Sequence, residues 1–270
     1  MIPINVDRNV GPASYRQLTE AGQLLVTSIF YTIQGEGPYT GHPAVFLRLA
    51  GCNLGAKREC PWCDTRFNFD EGKAMTLGEV TNAILPYLDR ARLIVVTGGE
   101  PLLQWPVLSK LIEGFNDGMQ RPPHWQFETN GVFLDSGLLA EAEHLGHTSF
   151  VVSPKIIGDS YRPLTDEWPA FGSMLTLKYV VSSDSLSPYR RLPDDLLSWA
   201  KRHGMTVYLS GQTEYGPEDE PTTPGAPASM RTLSREGRWA TLRNWEYAAQ
   251  LALRHGFRVS FQTHLLAGVE

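Results

Sequence analysis

Short apolar runs alternate along the chain with segments of helical period. The runs at 24–31, 44–49, 92–97, 125–128, 149–153, 176–181, 206–210 and 258–262 are rich in Val, Ile, Leu and Phe. Such runs suit buried strands. Segments at 77–89, 102–116, 135–145, 188–203 and 242–255 repeat apolar residues at helical spacing. Thr76 and Glu79 are spaced as a capping box for the first of these. Gly146, Gly204 and Gly256 fall just past three helix ends, where a left-handed residue is favoured. The alternation predicts an α/β fold with mainly parallel strands joined by helical crossovers.

In folds of this kind, functional groups gather where strands end. The segments there are Gln34-Gly35-Glu36-Gly37, Gly51-Cys52-Asn53, Gly98-Gly99-Glu100-Pro101, Thr129-Asn130-Gly131, Pro154-Lys155 and Thr263-His264. They are polar and glycine-rich, and are expected to converge on one mouth. Residues 211–237 break the pattern, being rich in Pro, Gly, Thr and acidic side chains without a period. They read as a disordered insertion or, alternatively, as a lid or interface loop.

With 270 residues, one barrel-like α/β domain spanning 1–270 is simpler than two small ones. The formal net charge of -5, with basic residues scattered, argues against a nucleic-acid partner, which needs clustered Lys and Arg. No stretch approaches the length of a membrane span, and residues 1–22 carry no basic-then-apolar leader. A cytoplasmic protein is expected.

All three cysteines, Cys52, Cys60 and Cys63, lie in one short segment. An odd number there is no disulfide framework and points to a reducing compartment with a bound metal or cluster. Structural zinc wants four closed ligands, and the nearest further candidate, His42, precedes the segment by ten residues. Three thiolates on a [4Fe–4S] cluster would leave one iron open. The spacing alone leaves zinc and iron both standing.

Cys60-Pro61-Trp62-Cys63 resembles the second half of the radical S-adenosylmethionine (SAM) superfamily motif, Cys-x3-Cys-x-aromatic-Cys. The first gap departs from it, with seven residues between Cys52 and Cys60 where the motif has three. Gly98-Gly99-Glu100-Pro101 would by itself read as a turn. Directly after the apolar run 93–97, it resembles the superfamily's glycine-rich strand end, which contacts the amino group of the methionine moiety.

A narrower resemblance, to the 7-carboxy-7-deazaguanine synthase family of radical enzymes, covers nearly the whole chain. Its segments are Thr32-Ile33-Gln34-Gly35-Glu36-Gly37, Phe46-Leu47-Arg48, Cys63-Asp64-Thr65, Phe127-Glu128-Thr129-Asn130-Gly131, Ser153-Pro154-Lys155, Lys178-Tyr179-Val180 and Gln262-Thr263-His264. The resemblance implies a partial (incomplete) TIM-like β/α barrel carrying the radical SAM core. It implies a [4Fe–4S] cluster on Cys52, Cys60 and Cys63, SAM as cofactor, and Mg²⁺ on the Thr65 hydroxyl. For SAM it suggests Asp64, Gly98, Gly99, Glu100, Glu128, Asn130, Ser153 and Lys155. Its substrate is 6-carboxy-5,6,7,8-tetrahydropterin, which offers a guanine-like amide edge and a carboxylate.

A carboxylate can accept from that edge, which suits Glu36 beside Gln34 and Gly35. The planar fork of Arg48 suits the substrate carboxylate; the bland alternative is a surface Arg. His264 could donate to either part. Lys178 could simply pair with a buried acid. The expected reaction takes a hydrogen atom from C6, contracts the ring and loses ammonia to give 7-carboxy-7-deazaguanine, on the queuosine and deazapurine route. A flavodoxin-like electron donor and a homodimer are also implied. Two rivals stand beside it: a glycyl-radical activase, and a non-catalytic zinc-binding module.

Overall fold

A computed structural model describes residues 17–54, 72–157, 160–161, 164–214 and 233–268. Packing divides the chain into two compact units. The first is Met1–Thr32 with Pro43–Phe150, and the second is Ile33–His42 with Val151–Glu270.

The first unit contains β1 (Gln23–Ile33, whose last residue belongs to the second unit), β2 (Pro43–Leu49), β3 (Lys73–Thr76), α1 (Leu77–Ile84), β4 (Leu93–Gly98), α2 (Trp105–Gly118), β5 (His124–Thr129) and α3 (Ser136–Leu145). The chain passes to the second unit within β6 (Thr148–Val152). The strand order is β5-β4-β2-β1-β3. β2, β4 and β5 are parallel, and β3 is antiparallel to β1. The register sets Arg48 beside Thr97 and Val95 beside Gln126. Side chains alternate along a strand, so Leu47, Leu49, Val96 and Phe127 share the opposite face. That face is apolar and sealed. Trp105 of α2 meets Phe127 edge-on at 5.5 Å, and Phe115 meets Trp125 at 5.3 Å. Each such buried side chain contributes about 1.5–3 kcal/mol.

The second unit contains β7 (Ile156–Ile157), β8 (Ser160–Tyr161), β9 (Leu175–Val181), α4 (Asp194–His203), β10 (Val207–Gly211), α5 (Arg235–His255), β11 (Arg258–Ser260) and α6 (Thr263–Ala267). β9, β10 and β11 are parallel. α5 approaches β10 so closely that a Cβ on Gly211 would lie 2.5 Å from the Asn244 carbonyl carbon. Asn244 turns this contact into hydrogen bonds. Its Oδ1 accepts from the Ser183 N–H at 2.7 Å, and its Nδ2 donates to the Gln212 carbonyl at 2.9 Å. Leu233, Trp245 and Leu265 form a buried cluster against Phe261.

All eight apolar runs become strands, and the mainly parallel α/β fold follows. The capping box is present: Thr76 Oγ1 accepts from the Glu79 N–H, and Glu79 accepts from the Thr76 N–H. Gly204 and Gly256 are left-handed helix ends, whereas Gly146 has positive φ but an extended ψ of 172°. Prolines reshape three helix boundaries. The first helix tightens into a 3-10 turn at Leu85–Tyr87, and the second opens as one at Pro101–Gln104. The segment 188–203 splits at Pro193, which precedes α4 and cannot continue a helix from before. β3 was not expected. The span 211–237 is too wide for an insertion: Gly211 closes β10 and Arg235–Gly237 opens α5, whose Ser234 cap accepts from the Gly237 N–H. Its centre, 215–232, lies outside the described residues.

Candidate active site

In the first unit, the end of β4 is zipped to the end of β2. The Gly99 N–H donates to the Leu49 carbonyl at 3.2 Å, and the Glu100 N–H to the Gly51 carbonyl at 2.7 Å. The approach excludes side chains. Gly98 sits at φ 130°, where a Cβ would lie 2.0 Å from the Leu49 oxygen, and one on Gly99 would lie 1.9 Å from the Gly51 oxygen. The Gly-Gly pair therefore brings β4 against the residues that lead into Cys52.

Glu100 is buried and organises what surrounds it. Its Oε1 accepts from the Leu102 N–H at 3.1 Å and the Thr129 hydroxyl at 2.7 Å, and its Oε2 from the Asn130 N–H at 2.8 Å. Asn130 extends the network by donating from Nδ2 to Asn53 Oδ1 at 2.8 Å. Asn53 neighbours Cys52, whose buried sulfur receives the Leu54 N–H at 3.5 Å. An N–H aimed at sulfur favours the thiolate, the form that binds metal. What is described of the loop thus fits a soft-metal cluster, and the three thiols of the sequence are the right donor chemistry. Cys60, Trp62, Cys63, Asp64 and Thr65 lie outside the described residues. Glu128 accepts from the Thr97 hydroxyl at 3.1 Å, and the Arg48 guanidinium lies 5.2 Å from the Phe30 ring centre.

In the second unit, residues 34–36 lead from β1 into a 3-10 turn at Gly37–Tyr39, with Glu36 extended. The Gln34 N–H donates to the His42 carbonyl, and Gln34 Oε1 accepts from the Glu36 N–H at 3.1 Å. The Gly35 carbonyl accepts from the Thr263 N–H at 3.1 Å, and the Gly37 N–H donates to the Ser260 hydroxyl at 2.9 Å. Glycine at position 35 lets the His264 ring pack against the backbone, since a Cβ there would fall 1.8 Å from His264 Nδ1 and push the ring away. Glu36 is thereby fixed beside His264. Its Oε2 receives the Lys178 ammonium at 2.6 Å and its Oε1 the Ser210 hydroxyl at 3.3 Å. Burial pushes the Glu36 carboxyl up, but Lys178, His264 and Ser210 together outweigh it, and the net shift is below the usual carboxylate value. Also in this unit, the Lys155 ammonium donates to the Ser153 hydroxyl at 2.9 Å.

Of the residues singled out in the sequence, Glu100 and Asn130 are bonded to each other in the first unit, and Gly99 and Glu100 are bonded to Leu49 and Gly51, just ahead of Cys52. Gln34, Gly35, Glu36 and His264 are joined in the second. The acid paired with Lys178 is Glu36. Asn53, Thr129 and Ser210 were missed. Asn53 adjoins Cys52, Thr129 lies within the segment 127–131, and Ser210 closes an apolar strand; position at a strand end was the available signal.

The Radical SAM superfamily profile matches residues 47–171, so both the glycine pair and the cysteine segment fall inside the matched part. The class is therefore a radical SAM enzyme, whose cofactors are a [4Fe–4S] cluster and SAM. A 7-carboxy-7-deazaguanine synthase from Rhodospirillum rubrum is 32% identical over 258 residues, which is 89% of this chain and 90% of that one. Another, from Hyperthermus butylicus, is 44% identical over 134 residues, spanning 49% of this chain and 52% of that one. The chain belongs to the 7-carboxy-7-deazaguanine synthase family. The crystal structure of QueE from Escherichia coli is similar with a TM-score of 0.57 at 19% identity, covering 93% of this chain and 98% of that one. That likeness gives the fold as a partial β/α barrel with mainly parallel strands. Among the described residues, no helix is long and apolar enough to cross a membrane.

Proposed function

We propose that this chain converts 6-carboxy-5,6,7,8-tetrahydropterin to 7-carboxy-7-deazaguanine with loss of ammonia, within queuosine and deazapurine biosynthesis. The observation that carries the reading is Glu36: a largely buried carboxylate 2.6 Å from the Lys178 ammonium, its pKa held below the usual carboxylate value, in a chain of this family. An ionised carboxylate accepts two adjacent N–H groups, as the 2-amino-4-oxo edge of a pterin offers. Gln34 and Gly35 hold the turn that presents it. His264, lying against Gly35, donates to the same ligand, and the Arg48 fork binds the substrate carboxylate.

Cys52, Cys60 and Cys63 hold the [4Fe–4S] cluster in this reading. When bound, the cluster and SAM supply the 5′-deoxyadenosyl radical that takes hydrogen from C6 of the pterin. Gly98 and Gly99 expose backbone to the methionine end of SAM, and Glu100 stiffens that backbone through Thr129 and Asn130. Glu128, Asn130, Ser153, Lys155 and Asp64 bind the remainder of SAM. The Thr65 hydroxyl supplies a ligand to Mg²⁺, an ion that keeps several waters and needs few protein groups. The proposal includes a flavodoxin-like donor, a homodimer, a cytoplasmic location and one radical SAM domain.

The test is an anaerobic assay of the reconstituted enzyme with the tetrahydropterin, SAM, Mg²⁺ and a reductant. The expected outcome is 7-carboxy-7-deazaguanine with ammonia, and activity that falls on chelation of Mg²⁺. Cleavage of SAM with no deazapurine would reassign the chain to another radical reaction.

A further inference from the structure

Lys178 lies on β9 between Leu177 and Tyr179, both almost wholly buried, and is itself only 9% exposed. Burying an ammonium is costly unless it is paired, and a buried pair stabilises a fold less than apolar residues of the same volume would. Stability alone is thus a poor account of why a charged pair stands here. Its geometry suggests another. A carboxylate has about four lone-pair positions; Lys178 and Ser210 take one on each oxygen of Glu36, at 2.6 Å and 3.3 Å. An ionised carboxylate held by one donor on each oxygen has acceptor capacity left on both, which two adjacent N–H donors of a ligand can use. A protonated carboxyl would instead present an O–H donor to a ligand donor.

We propose that Lys178 is a positioning residue for ligand recognition: its positive charge keeps Glu36 ionised and in one orientation, so that the paired oxygens accept a 2-amino-4-oxo edge. This rests on the reading of Glu36 as a substrate acceptor given above. Among the described residues, the groups that face Glu36 are Lys178 from β9, the Ser210 hydroxyl from β10 and His264 from α6. Among them Lys178 makes the shortest contact, at 2.6 Å, and is the first-named of the groups that lower the Glu36 pKa. Without Lys178, burial acts on Glu36 against weaker opposition, and the carboxyl takes up a proton at higher pH.

The experiment measures the Kd of 6-carboxypterin, a fluorescent compound that keeps the 2-amino-4-oxo edge. It uses the reconstituted enzyme with SAM, for wild type, K178Q, K178R and E36Q, between about pH 7 and pH 5. K178Q removes the charge while keeping an amide donor on a side chain one bond shorter. Its Kd relative to wild type is expected to rise by about tenfold or more as pH falls across that window, since each pH unit below a carboxyl pKa costs up to tenfold in the ionised form. K178R is expected to follow the wild-type pH profile. A K178Q to wild-type ratio constant with pH overturns the positioning role. E36Q that binds like wild type overturns instead the reading of Glu36 on which it rests. A second measurement needs no Lys178 variant: the infrared difference between wild type and E36Q is expected to show an ionised carboxylate down to about pH 5, and a protonated carboxyl band there overturns the proposal.

Discussion

Three glycines let neighbouring groups come closer than a side chain would allow. A Cβ on Gly99 would lie 1.9 Å from the Gly51 oxygen, one on Gly98 would lie 2.0 Å from the Leu49 oxygen, and one on Gly35 would lie 1.8 Å from His264 Nδ1. The first two neighbours are backbone, which cannot swing aside as the far end of a side chain does. G99A is therefore expected to destabilise by about 2–3 kcal/mol in urea unfolding and to weaken SAM binding in equilibrium dialysis. Gly114, inside α2 with open space about its Cβ position, is the control; G114A is expected to stabilise by about 1 kcal/mol. The Gly-Gly pair was legible from the sequence because it follows an apolar run. The partner of Glu36 was not. Lys178 lies 142 residues away, and no local pattern pairs charges at that distance.

At the level of elements, side chains stand in for missing ladder bonds. Gln104, in the 3-10 turn before α2, accepts the Leu25 N–H of β1 at 2.7 Å. Its amide donates to the Leu25 carbonyl at 3.3 Å and to the Ala50 carbonyl at 3.2 Å, just past β2. One buried amide thus ties β1 to the residues that enter the cysteine segment. Q104L would remove all three of these bonds, of which only the Leu25 carbonyl keeps a backbone donor, the Ala50 N–H at 3.0 Å. An unsatisfied buried group costs about 1–3 kcal/mol, so a loss of roughly 3 kcal/mol is expected in chemical denaturation. The same reasoning explains which elements were legible. Buried strands announce themselves by apolar runs. β3 does not, being four residues long, mostly exposed and at an edge. The start of α5 hid in a polar stretch, although Ser234 stood there as its cap. Turn residues marked the mouths of the strands, but not which buried polar group, Gln104 or Asn244, would bridge them.

Across the whole chain, the second unit is not a contiguous piece of sequence. It takes residues 33–42 from the N-terminal half and returns to sequence order only from Val151. That ten-residue segment is bonded into the unit at several points. Its Gly35 carbonyl accepts from the Thr263 N–H at 3.1 Å, its Gly37 N–H donates to the Ser260 hydroxyl at 2.9 Å, and its Glu36 pairs with Lys178 at 2.6 Å. Cutting the chain at Phe150 would strip all three from the C-terminal part. Breaking a largely buried ion pair is among the losses, and costs up to about 3–5 kcal/mol. Such a loss is comparable with the whole stability of many domains. A fragment of residues 151–270 is therefore expected to show no cooperative melt by circular dichroism. The same fragment with residues 33–42 joined ahead of it through a flexible linker is expected to regain one. A cooperative melt of the bare fragment, equal to that of the extended one, would mean that the segment only decorates the unit. The expected difference would make the turn that carries Glu36 a structural part of the unit it serves, so that the residue proposed to recognise the ligand and the packing that orders it form in one step.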